Sequence, residues 1–240
     1  MPYDERYELD LIRGIEEPRA WNITAEVRKR TRPTDIVLDV GCGTAFKILP
    51  VASSVKHIYG LDPNQRMREK AQENIRKENV SNMTLVAGVS ECLPYPDNHF
   101  DVLTCIVAHQ TPSEFHRVLK PCGWVVCEQF GEEDKRSVAD CFGSDEQGGR
   151  GIFADYDKGE LVEEHRREYQ KYFSEVNIRI GRWDSYLSYE GLVLLLEQVP
   201  LVRNFDKHRD EVGLRRVRET LMKERGIHVF HERVLIEARK

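Results

Sequence analysis

The 240-residue chain has no C-x-x-C pair. Its six cysteines (Cys42, Cys92, Cys105, Cys122, Cys127 and Cys141) are scattered, with Cys122 and Cys127 the nearest two. A disulfide framework or a structural zinc site needs paired or clustered thiols, so buried reduced thiols and no metal are expected. Long apolar runs are also lacking. The longest, Leu192 to Leu196, has five residues, far short of the roughly 20 that span a bilayer, and no membrane partner is expected. The opening Met-Pro-Tyr-Asp-Glu-Arg has no apolar core of a signal peptide, so the expected location is cytoplasmic. Positive charge is not in excess: the net charge is −5 and the isoelectric point about 6. Nothing at whole-chain level points to nucleic acid. A local exception is Leu214 to Arg225, where Arg215, Arg216, Arg218, Lys223 and Arg225 fall at helical spacing; this reads first as a solvated helix face.

What is present is an ordinary globular composition, 40% hydrophobic and 32% charged. The length suits one large domain, alone or with a small appendage. Leu9 to Arg30 reads as helical, with Trp21 inside it, until Arg32-Pro33-Thr34-Asp35 breaks the pattern. Apolar runs follow at Ile36–Val40, His57–Leu61, Met83–Ala87, Phe100–Val107 and Trp124–Phe130. Helical stretches alternate with them: Ala45 to about Ser54, Gln65 to Asn79, and Pro112 to Leu119. Strands that are continuously apolar and alternate with helices are the mark of a parallel sheet covered on both faces. Right-handed crossovers then bring the loops leaving the strand C-termini to one edge, where ligand chemistry is expected. In the second half, Gly143–Gly151 reads as a mobile connection, Lys158–Phe173 as a charged helix, and Val176–Ile180 and Ile227–Ala238 as strands. The fold expected is a Rossmann-like, doubly wound α/β domain with a mostly parallel seven-stranded sheet. It comprises an N-terminal helical segment (1–34), a core (35–183 and 226–240), and a helical cap (187–225) inserted before the last strand.

The loop Asp39-Val40-Gly41-Cys42-Gly43 leaves one strand and opens a helix. Glycine there lets the backbone turn sharply and approach a ligand. Asp62 ends the next strand, where a carboxylate can accept the two hydroxyls of a ribose. Alone, that pair fits any nucleoside binder. The sequence G-x-G-x-x-G is not met, because Phe46 stands at the third site, which disfavours a dinucleotide.

Four motifs occur in order: V-L-D-V-G-C-G-T (Val37–Thr44), G-L-D-P-N (Gly60–Asn64), E-C-L-P-Y-P-D-N-H-F-D (Glu91–Asp101) and R-V-L-K-P-C-G-W (Arg117–Trp124). From Asp35 to Phe130 the chain resembles the class I S-adenosylmethionine-dependent methyltransferases, within the broad methyltransferase-11-like group. The resemblance implies S-adenosylmethionine as cofactor. It implies that Gly41 and Gly43 line the methionine end, with Asp39 near its amino group, and that Asp62 holds the ribose. Met67, Ser90 and Glu91 would border the adenine, and Ile106 to Ala108 would wall the ribose and methionine. Three positions depart from the family pattern: Ala45 for the third glycine, Cys122 for the first glycine of K-P-G-G, and Val89 for the Asp that meets the adenine amino group. Glu91 is the candidate substitute for the last.

Methyl transfer from a sulfonium is an in-line displacement, and a base is required only for an alcohol, phenol or protonated amine. His109 is the candidate base, set against a loop histidine that merely caps the next helix. The acidic segment Glu128–Lys135 reads as helix-start chemistry before it reads as a cation site. Tyr3, Tyr7, Trp21, Phe153, Tyr156, Trp183, Tyr186 and Tyr189 are candidates to wall an acceptor pocket. The first expectation is an enzyme that methylates a small organic molecule on an O-, N- or C-nucleophile. An RNA or protein methyltransferase, using the basic helix, is the alternative; a non-catalytic, cofactor-binding regulatory protein is another.

Overall fold

The structure is a computed structural model that describes Ile12 and residues 14–240. Tyr3 and Tyr7, and the start of the expected N-terminal helix, lie outside the described residues. From Gly14 onward that segment is not one helix. It holds a two-residue strand β1 (Ile15–Glu16) and a single short helix α1 (Ile23–Arg28). Trp21 precedes the helix, and Asn22 caps it by accepting from the Ala25 amide.

Then follow β2 (Ile36–Val40), β3 (His57–Leu61), α2 (Gln65–Lys77), β4 (Met83–Val86), β5 (Phe100–Ile106), α3 (Pro112–Val118) and β6 (Leu119–Phe130). The stretch after β2 departs from the α-helix expected there. It turns irregularly and closes as a 3-10 helix, Leu49–Ser54. Pro50 brings no amide hydrogen, and the Ser54 hydroxyl donates to the Val51 carbonyl, so the short, tight helix prevails. Both ends of α2 are legible locally. The Asn64 side chain accepts the Arg66 and Met67 amides, and Asn79 at φ +54° ends the helix with Asn79 N to Arg76 O and Val80 N to Ile75 O.

The second half contains α4 (Arg136–Asp140), the strands β7 (Ser144–Asp145) and β8 (Gly148–Gly149), α5 (Glu160–Gln170), β9 (Glu175–Leu187), α6 (Tyr189–Gln198), α7 (Glu211–Leu221), β10 (Met222–Lys223) and β11 (Gly226–Arg239). Gly143–Gly151 is thus a small hairpin rather than a bare connection. Arg203 pairs with Asp145, and Arg150 pairs with Asp210, the residue just before α7.

The main sheet runs β1-β9-β11-β6-β5-β2-β3-β4, with β10 paired to β11; the pairs β2–β3, β3–β4, β2–β5 and β5–β6 are parallel. This is the expected Rossmann-like, mostly parallel α/β arrangement, with α6 and α7 between the last two long strands. Among the described residues the sheet has nine strands rather than seven, because the two-residue strands β1 and β10, too short to stand out in the sequence, pair with β9 and β11.

The chain forms two compact units. The sheet unit takes Trp21–Phe130, Val162–Arg179 and Val234–Lys240; the second takes Gly131–Leu161, Ile180–Arg233 and the described residues up to Ala20. In the sheet unit, successive residues of each strand go to opposite faces. Leu38, Leu103, Cys105 and Val125 pack with Phe115 and Tyr169, while Val37, Ile58, Val102 and Val126 pack with Val27, Ala71 and Ile75. The second unit has its own core. Leu192, Leu195 and Leu196 of α6 meet Val138 and Phe142 from the segment before the hairpin, and Leu214 and Val217 from α7. It is therefore wider than the 187–225 cap, because residues 136–142 bury apolar side chains in the same cluster.

Candidate functional site

The strand order fixes where a ligand can sit. From β2 the chain steps outward to β3 and β4, then returns to β5 on the other side of β2. The loops after β2 and β5 diverge at that reversal, and a parallel α/β sheet offers its crevice there. Asp39 lies level with Gly60 on one side and Thr104 on the other.

The loop after β2 is shaped by two left-handed glycines. Gly41 has φ +70°, and a Cβ on it would stand 2.3 Å from the Ala108 Cβ, so no larger residue fits between the loops. Gly43 has φ +54° with nothing within 4 Å of a Cβ position, so its face is open. The Gly41 and Cys42 amides both donate to the Leu61 carbonyl, at 2.8 and 3.0 Å. Ala45 is left-handed as well, at φ +63°. Its position therefore demands what a glycine gives freely, and alanine holds it under strain.

Two carboxylates flank this loop. Asp39 is buried and accepts from the Thr104 hydroxyl at 2.8 Å. Burial pushes its carboxyl up to about 7, against the Thr104 hydrogen bond and the Lys47 charge, which favour the ionised form. Asp62 ends β3. Its Oδ2 accepts the Gly43 amide at 2.9 Å and its Oδ1 the Asn64 amide at 2.8 Å. An ionised carboxylate has about four acceptor sites, so each oxygen keeps capacity for a hydroxyl. Met67 is buried in the first turn of α2.

Across the crevice, Ile106 is buried at the end of β5. Val107 follows at φ +55°, an outlier for a β-branched residue, with its amide donating to the Glu128 carbonyl at 2.7 Å. Ser90 is buried and shares a 3.1 Å hydrogen bond with Thr111, and its hydroxyl lies 3.3 Å from Glu91. The other Glu91 oxygen lies 3.4 Å from His109 Nε2. His109 is 70% exposed, and Thr111, not His109, stands at the helix start. Val89 is exposed. Ser90, Glu91 and His109 thus form one chain of contacts.

Several residues here were not singled out from the sequence. Thr104 is a polar residue inside an apolar strand, a signal that could have found it. Glu128, counted with an acidic segment, is buried at the end of β6, accepts the Trp21 indole at 2.8 Å, and lies 4.0 Å from the Lys47 ammonium. Gln129 donates to the Ala108 carbonyl. The rest of that acidic segment belongs to the second unit. There Asp134 is buried, pairs with Lys135 and Arg233, and is held below the usual carboxylate range by both against the opposing effect of burial. Burial brings Lys135 down to about 8. Burial, reinforced by the Lys135 charge, takes His231 down to about 2. The Ser185 hydroxyl lies 2.7 Å from His231 Nε2, and Trp183 stacks on the ring. Asp134 is therefore an internal ion-pair residue and not helix-start chemistry; Lys135, itself left-handed, stands at the start of α4.

Residues 37–123 match the methyltransferase domain family. An uncharacterized methyltransferase of Schizosaccharomyces pombe is 32% identical over 148 residues, 53% of this chain and 53% of its own length. The demethylmenaquinone methyltransferase of Anoxybacillus flavithermus is 34% identical over 118 residues, 45% of this chain and 50% of its own. The chain spans about half the length of these curated relatives. Among solved structures, the YcgJ protein of Bacillus subtilis superposes with a TM-score of 0.67 at 19% identity, over 91% of this chain and 97% of that one, a likeness of fold.

The residues present fit the cofactor of that family. Open space stands over Gly43, and a buried carboxylate and an amide-held carboxylate lie on either side of the loop. Among the described residues no His, Cys, Asp or Glu group could hold a metal ion. Residues 37–123 are thus similar to the methyltransferase domain family, in a fold like that of the YcgJ protein.

Proposed function

We propose that the protein transfers the methyl group of S-adenosylmethionine to a small organic nucleophile. The observation that carries this reading is Asp62: its carboxylate ends β3, each oxygen fixed by a loop amide, against the open face of Gly43. In this reading Asp62 receives the ribose hydroxyls, Gly41 and Gly43 admit the methionine end, and Asp39 faces its ammonium. Met67, Ser90 and Glu91 border the adenine, and Ile106 walls the ribose. The bound cofactor supplies a methyl group on an activated sulfonium, so the chain's own task is alignment and exclusion of water. His109 accepts the acceptor's proton at Nδ1 where the acceptor carries one, and Glu91, 3.4 Å from Nε2, orients the ring.

The demethylmenaquinone methyltransferase relative acts, by its name, on a small organic acceptor. A macromolecular acceptor read by α7 is less well supported. A groove of about 330 Å³ on that helix is lined by Arg215 and Arg218 but also by Glu219 and Met222, and Arg218 lies over the Tyr189 ring. The test is incubation with methyl-labelled S-adenosylmethionine and separated cell fractions. Label in the low-mass fraction is expected. Label in RNA or protein would overturn the small-molecule reading, and cofactor binding with no label anywhere would favour a regulatory protein.

A further inference from the structure

A line of side chains runs from the glycine loop to the end of β6, and the adenosine-binding residues do not account for it. Lys47 follows the loop by two residues past Ala45. Its backbone is fixed, because its carbonyl accepts the Thr24 hydroxyl of α1 at 3.0 Å. The loop itself is held by Asn74, whose amide donates to the Thr44 carbonyl at 2.9 Å. The Lys47 ammonium faces Glu128 Oε1 at 4.0 Å, an ion pair longer than a hydrogen bond, while Glu128 Oε2 is anchored by the Trp21 indole at 2.8 Å. Lys47 also acts electrostatically on Asp39, favouring its ionised form.

The result is a separation of charge along one edge of the loop. Asp39 and Asp62 are the acidic groups at the end of β2 and just after β3. Lys47 is the cation on the Glu128 side of that group, while Arg68 donates to the Asp62 carbonyl at 2.7 Å on the other, and the Glu128 carboxylate facing Lys47 is itself held by the Trp21 indole. The methionine end of the cofactor has the complementary polarity, an ammonium and a carboxylate on one carbon. A buried acid suits the first, and the second needs a cation within a few ångströms. We propose that Lys47 recognises the α-carboxylate of the bound cofactor, with Glu128 and Trp21 as the residues that position it. The ligand class selected is an amino-acid sulfonium with a free carboxylate. This rests on the cofactor reading above and deepens it.

The experiment is calorimetric titration of wild type, Lys47→Met and Lys47→Arg with two ligands, S-adenosylmethionine and its decarboxylated form. A charge-assisted hydrogen bond corresponds to about 10- to 100-fold in affinity. Lys47→Met should lose about that factor for S-adenosylmethionine and nothing for the decarboxylated ligand, so that the variant binds the two alike. Lys47→Arg should keep the preference. Equal weakening of both ligands by Lys47→Met would show a merely structural lysine and overturn the proposal. So would an unchanged preference. Failure of wild type to bind either ligand would instead overturn the cofactor reading, and this inference with it.

Discussion

The two units bury charge in opposite ways. In the sheet unit, Asp39 is buried beside a neutral Thr104 hydroxyl, with the Lys47 ammonium on the partly exposed rim. In the second unit, Asp134 is buried with Lys135 and Arg233 in direct contact, next to a histidine kept neutral. A carboxyl left without a contacting cation retains a use, since its preference for a partner is satisfied only when a cationic group arrives. An internally matched cluster is complete. It holds its own backbone, as when Asp134 Oδ1 accepts the Glu232 amide at 3.0 Å. The lesson is that burial alone does not mark a site; burial without a matched countercharge does.

The largest expected effect tests the completed cluster. Asp134→Ala removes the buried carboxylate that pairs with Lys135 and Arg233, and should destabilise the protein by about 3–5 kcal/mol in chemical denaturation. A loss under 1 kcal/mol would mean the cluster is solvated enough to dispense with Asp134, and the contrast between the units would weaken.

A second prediction separates the units by pH. Folded Asp39, raised to about 7, keeps a proton that the unfolded chain releases above about pH 4. Its contribution to stability is full below that, declines as pH rises toward 7, and is gone above it. His231, lowered to about 2, stays neutral in the fold while the unfolded histidine protonates below about 6.5. Its contribution is present above 6.5 and is lost as the pH falls toward 2. Amide exchange compared at pH 5 and 7.5, after correction for intrinsic rates, should show the second unit less protected at pH 5 and the sheet unit no less. His231→Gln should remove the acid loss. Parallel changes in both units would contradict the assignment. For the ligand the sign at Asp39 reverses: binding a cation there expels the proton, so affinity for the demethylated cofactor should rise from pH 6 to 8, and Asp39→Asn should flatten that rise in calorimetry.

Smaller effects come from the left-handed residues. Cys122 is exposed with φ +64°, so Cys122→Gly removes strain without losing buried surface. Thermal denaturation should show about 0.5–1 kcal/mol gained, with cofactor affinity unchanged. Val107→Gly relieves a similar strain but loosens the turn between Ile106 and Ala108. It should stabilise the fold and lower turnover; unchanged turnover would remove Val107 from the site.

The two units also differ in how much the sequence reveals. Gly41, Gly43, Asp62 and the strand alternation were legible because sheet geometry imposes them: a sharp turn needs left-handed residues, and a strand covered on both faces needs an apolar run. The left-handed requirement at Ala45 and Cys122 was visible as a departure from glycine, although its strain was not. Ser90 and Glu91 follow β4 and His109 follows β5, as the alternation of strands implies, but their mutual contacts depend on side-chain directions no spacing encodes. The Trp21–Glu128 pair joins residues 107 positions apart. The Asp134–Arg233 pair joins residues 99 apart, and nothing local marks either. The Leu192–Leu196 run marks part of the second unit's core in the sequence; Val138 and Phe142, which share it, lie between the acidic segment and the hairpin, where no apolar run marks them.

The central claim is that the crevice at the ends of β2 and β3 holds S-adenosylmethionine through Asp62. Titration of wild type and Asp62→Ala with the demethylated cofactor, S-adenosylhomocysteine, tests it most directly, with circular dichroism to verify that the variant is folded. Loss of a carboxylate acceptor for two hydroxyls predicts affinity lower by about 10- to 100-fold. Equal affinity in a folded Asp62→Ala protein would contradict it.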